Sequence, residues 1–301
     1  MTFARGLALL CALMFSASAC RQTPEAKAAQ LRALEQTRTQ TLARRLAKAD
    51  ANPEKNQPVA SWIMPNELRE ISGLTLLPNG HLLTHDDEVA RIYEVDPKTG
   101  VILKSFTLEG ARHGDFEGIT TVNSDIYLLE SNGKLYKFKA GAGDKEVPYS
   151  VYDTHLGKEC EFESIAYEAD SSWLLLACKR VKSKNLDHQV VIYRLPLPLT
   201  DSAKFSMLTI PLGEVIGENK WKHFHPSDLA IDPATGNYVI VASKDQGLAV
   251  ITPGGDVVRS EPLPKGHNQA EGVAITRDSL LIISDESNHN PADITLYRWR
   301  Q

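Results

Sequence analysis

Five short phrases recur along this chain, each a small or acidic polar pair running into an apolar strand: Ser72-Gly73-Leu74-Thr75, Glu117-Gly118-Ile119-Thr120, Glu163-Ser164-Ile165-Ala166, Ser227-Asp228-Leu229-Ala230 and Glu271-Gly272-Val273-Ala274. Successive copies lie 45, 46, 64 and 44 residues apart. That period marks stacked repeats and approaches the length of a four-stranded propeller blade.

Each copy opens the same succession of elements. A turn follows the motif strand, as at Pro78-Asn79-Gly80 and Pro233-Ala234-Thr235-Gly236, and then a second apolar strand such as Leu174-Leu175-Leu176 or Tyr238-Val239-Ile240-Val241. The third strand carries an aliphatic-Tyr signature in four copies, at Ile92-Tyr93, Leu135-Tyr136, Ile192-Tyr193 and Leu296-Tyr297. A fourth strand closes the first four units over 102–108, 147–152, 205–212 and 257–263, but the last unit reaches Gln301 with only three. The segment 59–65 resembles the missing strand. Pairing it with the last unit would close the ring and remove a sheet edge open to aggregation. The expectation is an all-β propeller of five four-stranded blades closed by an N-terminal strand. Six blades stay open, because the 64-residue third unit has room for an irregular extra one.

Ahead of the ring the composition changes. Arg5, the apolar run from Leu7 to Phe15 and the small residues 16–19 read as a signal peptide over 1–19, too short to span a membrane. Ala17-Ser18-Ala19 suits ordinary signal peptidase, while Cys20 directly after the cut resembles a bacterial lipobox, in which that cysteine is acylated. We adopt the lipoprotein reading. Residues 20–57 then form a lipid-anchored helical tether, and 58–301 the propeller. Leu31, Leu34, Leu42 and Leu46 share one third of a helical wheel, a thin stripe that suits a solvated spacer better than a partner-binding helix. Residues 21–57 carry eight Lys and Arg against four Asp and Glu, whereas 58–301 carry 24 against 34. A basic stalk on anionic lipid holding an acidic domain away from it is electrostatically sensible, and the acidic ring argues against nucleic acid as a partner.

Two cysteines, Cys160 and Cys178, lie within the ring at the outer ends of one expected hairpin. A disulfide suits an exported compartment and is favoured over a metal pair or two free thiols; zinc would need a second Cys or His pair at suitable spacing.

In a propeller, the starts of first strands and the ends of second strands meet around the central channel on one face. Strand starts supply Glu117, Glu163, Asp228 and Glu271. Strand ends supply His85, Asp86, Glu130, Lys179, Asp245 and Asp285, with His113, His225 and His267 just upstream of the motifs. Crowded carboxylates repel, and a bound cation, a shared proton or basic partners resolve the repulsion. Oxygen ligands from rigid strands suit calcium or magnesium better than zinc. The bland alternative is that repeated polar residues cap backbone groups of the neighbouring blade. The loop before Asp228 carries Trp221 and Phe224, which would serve either as a lid or as packing over the blade edge.

The phrases Ile71-Ser72-Gly73-Leu74, Asp115-Phe116-Glu117-Gly118-Ile119, Phe162-Glu163-Ser164-Ile165-Ala166 and Glu271-Gly272-Val273-Ala274 with Ile283-Ser284-Asp285-Glu286 resemble the SdiA-regulated, YjiK/CarP-type family of bacterial propellers over 58–301. The resemblance implies an envelope-associated propeller facing the periplasm, with calcium-linked roles and a phytase-like comparison. It maps the implied calcium site onto Glu117, Glu163, Asp228 and Glu271, with Ser72 departing from the acidic pattern. Arg21 in place of an Asp after Cys20 favours the outer membrane by the same kind of resemblance. The expected function is binding or sensing of a small molecule or another envelope protein at an acidic, cation-occupied face. The alternative is a metal-dependent hydrolase of a phosphoester or lactone, with His113 or His267 as base. Against it stand the absence of a Ser nucleophile pattern and of an Arg and Lys cluster in these loops.

Overall fold

The computed structural model describes residues 24–53, 56–110, 113–200 and 204–300. The expected signal peptide and Cys20 lie outside them. Five antiparallel blades surround a central axis. Strand β1 (Ala60–Ile63) is set aside for the last blade. Blade one holds β2 (Ile71–Leu76), β3 (Leu82–Asp86), β4 (Arg91–Asp96) and β5 (Val101–Leu108). Blade two holds β6 (Phe116–Val122), β7 (Asp125–Glu130), β8 (Lys134–Lys139) and β10 (Tyr149–Asp153), while the two-residue β9 (Glu146–Val147) crosses to pair in parallel with β5. Blade three holds β11 (Cys160–Glu168), β12 (Trp173–Val181), β13 (Gln189–Pro196) and β14 (Ser206–Pro211). Blade four is β15 (Asp228–Ile231), β16 (Tyr238–Ala242), β17 (Gly247–Ile251) and β18 (Val257–Pro262). Blade five is β19 (Ala270–Ile275), β20 (Leu280–Asp285) and β21 (Asp293–Arg298), completed by β1 against β21. The expected ring closure is therefore observed. The extra length of the third unit goes into two nine-residue strands and the loop before β15, not into a sixth blade.

The core explains why the second strands read as unbroken apolar runs. Alternate side chains of a strand face opposite sides of its sheet, and here both sides are covered by neighbouring blades. In β16, Tyr238, Ile240 and Ala242 join the core shared with blade three, whereas Val239 and Val241 join the one shared with blade five. Five inter-blade cores result, one at each junction. The third-strand tyrosines are buried in these layers with their hydroxyls aimed at polar partners: Tyr93 donates to the Glu67 carbonyl at 2.6 Å and Tyr136 to Glu130 at 2.9 Å.

Helix α1 (Pro24–Ala51) is docked over part of its length rather than wholly solvated. Leu42 is buried in the core shared by blades five and one, and Leu46 packs against it, while Leu31 and Leu34 of the same stripe are exposed. Polar clamps surround that contact: Arg38 donates to the Thr99 carbonyl and lies over the Trp62 ring, and Arg298 pairs with Asp50 at 2.8 Å. Cys160 and Cys178 are joined by a disulfide across β11 and β12, with their Cα atoms 5.7 Å apart.

Candidate functional site

The motif glutamates owe their position to a repeated irregularity. The ladder between first and second strands skips a residue between Phe116 and Gly118, between Phe162 and Ser164, and between Ala270 and Gly272. Glu117, Glu163 and Glu271 are thus the extra residues of three β-bulges. A bulge leaves one residue unpaired and re-aims its side chain. Here it turns three carboxylates from three blades toward one mouth of the channel, termed the upper mouth. Lys179, at the end of β12, donates to Glu163 at 2.6 Å and is attracted by Glu117 and Glu271 as well. Burial, then repulsion from Glu163 and Asp115, pushes Glu117 up to about 10, with Lys179 pulling the other way. Burial against the counter-pull of Lys179 leaves Glu163 at about 8, and burial raises Glu271. The upper mouth therefore holds protons at neutral pH that ordinary carboxylates would release.

Asp228 does not belong with this group. Its place in the repeat is the second motif position, shared with Gly73, Gly118, Ser164 and Gly272; the counterpart of the glutamates is Ser227. A one-residue offset along a strand reverses the direction of the side chain. Asp228 is 1% exposed and crosses the channel. One oxygen accepts from the Ser164 hydroxyl and the Leu229 amide, both at 2.8 Å, and the other from the Val273 amide at 2.7 Å and the Leu74 amide at 3.2 Å. A carboxylate offers about four lone-pair sites, and all are taken, so Asp228 is a strut between blades and not a cation ligand. Burial pushes it up to about 7 against the pull of these donors.

Most of the other expected channel-face residues are paired within or between blade elements. His225 meets Asp245 at 2.9 Å, and Asp245 also accepts the His225 amide. His267 is held between Asp285 and the Tyr297 hydroxyl, the latter at 2.9 Å. Asp86 accepts the amides of Glu88 and Val89, each at 3.0 Å. Glu130 accepts from Tyr136. His113 is exposed and bridges to Val89. His85 is fully buried; burial lowers its pKa to about 4, and its Nε2 has no partner. Trp221 packs on Gly247 and Phe224 at the blade edge, where a Cβ on Gly247 would lie 2.8 Å from the indole, so these aromatics are packing rather than a lid.

The expected quartet of ligands is not a coordination group. Among the described residues, the one set of three or more candidate ligands whose atoms lie within 4.8 Å of one another is Glu70, Asp87 and Glu286. It sits on the upper face where the last blade meets the first, beside the backbone bond from Ser287 to the Arg69 carbonyl. Burial and a hydrogen bond to Glu70 raise Glu286 to about 8, and that bond lowers Glu70. Burial and its acidic neighbours raise Asp87 to about 7, and Asp87 Oδ1 is buried without a partner. Asp87 and Glu286 belong to acidic strand-end runs visible in the sequence. Their meeting with Glu70 follows only from ring closure.

Below Asp228 the inner strands touch backbone to backbone. A Cβ on Gly118 would lie 2.8 Å from the Ile165 amide nitrogen, and one on Gly73 only 3.0 Å from the Gly118 Cα. With the buried Asp228 carboxylate bridging the blades just above, this waist constricts the channel. Beyond it, at the lower mouth, lies a cavity of about 950 Å³ lined by the far ends of all five inner strands.

No protein-family model and no curated protein matches the chain. Among solved structures, it is similar to the glutaminyl cyclase of Myxococcus xanthus, with a TM-score of 0.55 at 11% identity, covering 80% of this chain and 94% of that one. A luciferin-regenerating enzyme gives a TM-score of 0.53 at 9% identity, covering 81% of this chain and 98% of that one. At these identities the likeness is one of fold.

Proposed function

We propose that this protein is an envelope-anchored binding propeller of the periplasm, whose upper face takes calcium between Glu70, Asp87 and Glu286. The observation that carries the reading is the convergence of these three carboxylates within 4.8 Å. Hard cations take several oxygen ligands from rigid elements. The unpartnered Asp87 oxygen and the carboxyl–carboxylate bond between Glu286 and Glu70 are what a cation would satisfy and replace. The Cys160–Cys178 disulfide supports an exported domain, and Cys20 would supply the acyl anchor. Outer-membrane attachment and a small-molecule or envelope-protein ligand belong to the same reading. The hydrolase alternative finds less support, because His267 is held by Asp285 and Tyr297.

Calorimetric titration of chelator-stripped protein with calcium is the test. One site per chain is expected, lost in Glu286→Gln and kept in the Glu117→Gln, Glu271→Gln double variant. Loss only in the double variant would move the ion to the channel glutamates. Neither heat nor a thermal shift with calcium or magnesium would sink the cation reading.

A further inference from the structure

The lower mouth is chemically unlike the upper one. Each inner strand is the edge of its blade, so alternate backbone N–H and C=O groups face the cavity instead of a neighbouring strand. Among the described residues, the side chains of Thr75, Thr121 and Asn123 at its wall have no hydrogen-bond partner. Leu76, Ile231 and Ile275 supply apolar patches between them. Charge is confined to the rim or already spent. Lys98, Arg277 and Asp278 are exposed, and Asp96 accepts the Lys98 amide at 2.9 Å and the Thr99 hydroxyl at 2.7 Å in its own turn.

These walls select a ligand class. An ion placed deep in the cavity would meet only charges that are solvent-exposed at the rim or already paired, as His81 is with Glu94 at 2.6 Å, and a wholly apolar molecule would leave edge amides and hydroxyls dry, each at a cost. An uncharged molecule rich in hydroxyls, with apolar ring faces, satisfies both surfaces. The volume lies at the upper end of the roughly 300–1,000 Å³ of small-molecule pockets. We propose that the lower mouth is a binding site for a neutral polyhydroxylated molecule of one or two sugar-sized rings, separate from the acidic upper face.

Saturation-transfer NMR and calorimetry with maltose, cellobiose and N,N′-diacetylchitobiose, beside glucuronate and glucosamine, test this. At least one neutral disaccharide is expected to bind with a Kd below about 10 mM, and at least about tenfold more tightly than either charged sugar. Thr121→Val and Thr75→Val, two isosteric changes on different blades, should each weaken it about tenfold, the loss of roughly one hydrogen bond. Glu286→Gln should leave it unchanged, which separates this site from the cation site. Failure of all three disaccharides to bind, tighter binding of a charged sugar, or affinity unmoved in both Thr variants with unaltered melting would each overturn the proposal.

Discussion

Asp228 accepts four hydrogen bonds with its one carboxylate, all of them buried. It ties its own strand to the inner strands of blades one, three and five through three donors, and accepts a fourth hydrogen bond from the Leu229 amide beside it. Asp228→Ala leaves two amides from other blades and one hydroxyl buried without an acceptor, at a cost of about 4 kcal/mol read by denaturant unfolding. Asp228→Asn, which keeps one oxygen acceptor, should lose about half of that. Equal stability of both variants with the parent would remove the strut from the account. The repeat was legible in the sequence down to this residue, and so was the acidic character of positions 117, 163 and 271. What local composition conceals is register. Acidity draws the eye to Asp228, but its neighbour Ser227 holds the equivalent position, and a strand reads side-chain direction by parity.

At the level of elements, the first, second and third strands of every blade were legible because their apolar runs are bounded by turns. Closure by a strand near residue 60 was legible from simple counting. Partnership was harder to read. Val147 belongs to β9, which pairs with blade one in place of the fourth strand of its own blade, and nothing in the local pattern announces that exchange. Helix α1 was legible as a helix, but its stripe of four leucines is split, two outward and two against the ring, which a helical wheel cannot resolve. Leu42→Ala should cost about 2 kcal/mol of docking, toward the low end for a buried Leu because the site lies at the edge of the core. Limited proteolysis would report it as faster cleavage within 24–53 with the ring intact. Cleavage no faster than in the parent would mean that the Arg38 and Arg298 clamps hold the helix unaided.

For the whole molecule, the crowding of acids at the upper face is a stability statement. Glu163 and Glu286 sit near 8 and Asp87 near 7, above the roughly 4 of an unfolded carboxyl. Between about pH 4 and 8 the folded protein therefore holds protons that the unfolded chain has released, so stability falls as pH rises through that window. In chelator, Tm should be higher at pH 5 than at pH 8. Calcium, by replacing the proton shared between Glu286 and Glu70, should flatten the slope. A Tm that climbs over the same range would show that these groups are ionised in the native state. Glu70 and Glu286 stand 216 residues apart, at the two ends of the ring, which is why their cluster was not legible from any local motif. The waist at Asp228 adds a last consequence. The ring is less a tunnel than a pair of vestibules set back to back across that constriction, each opening to solvent at its own end. Traffic at each end is chiefly a matter of entry and return, and the occupants of the two rooms sense each other across the constriction between them.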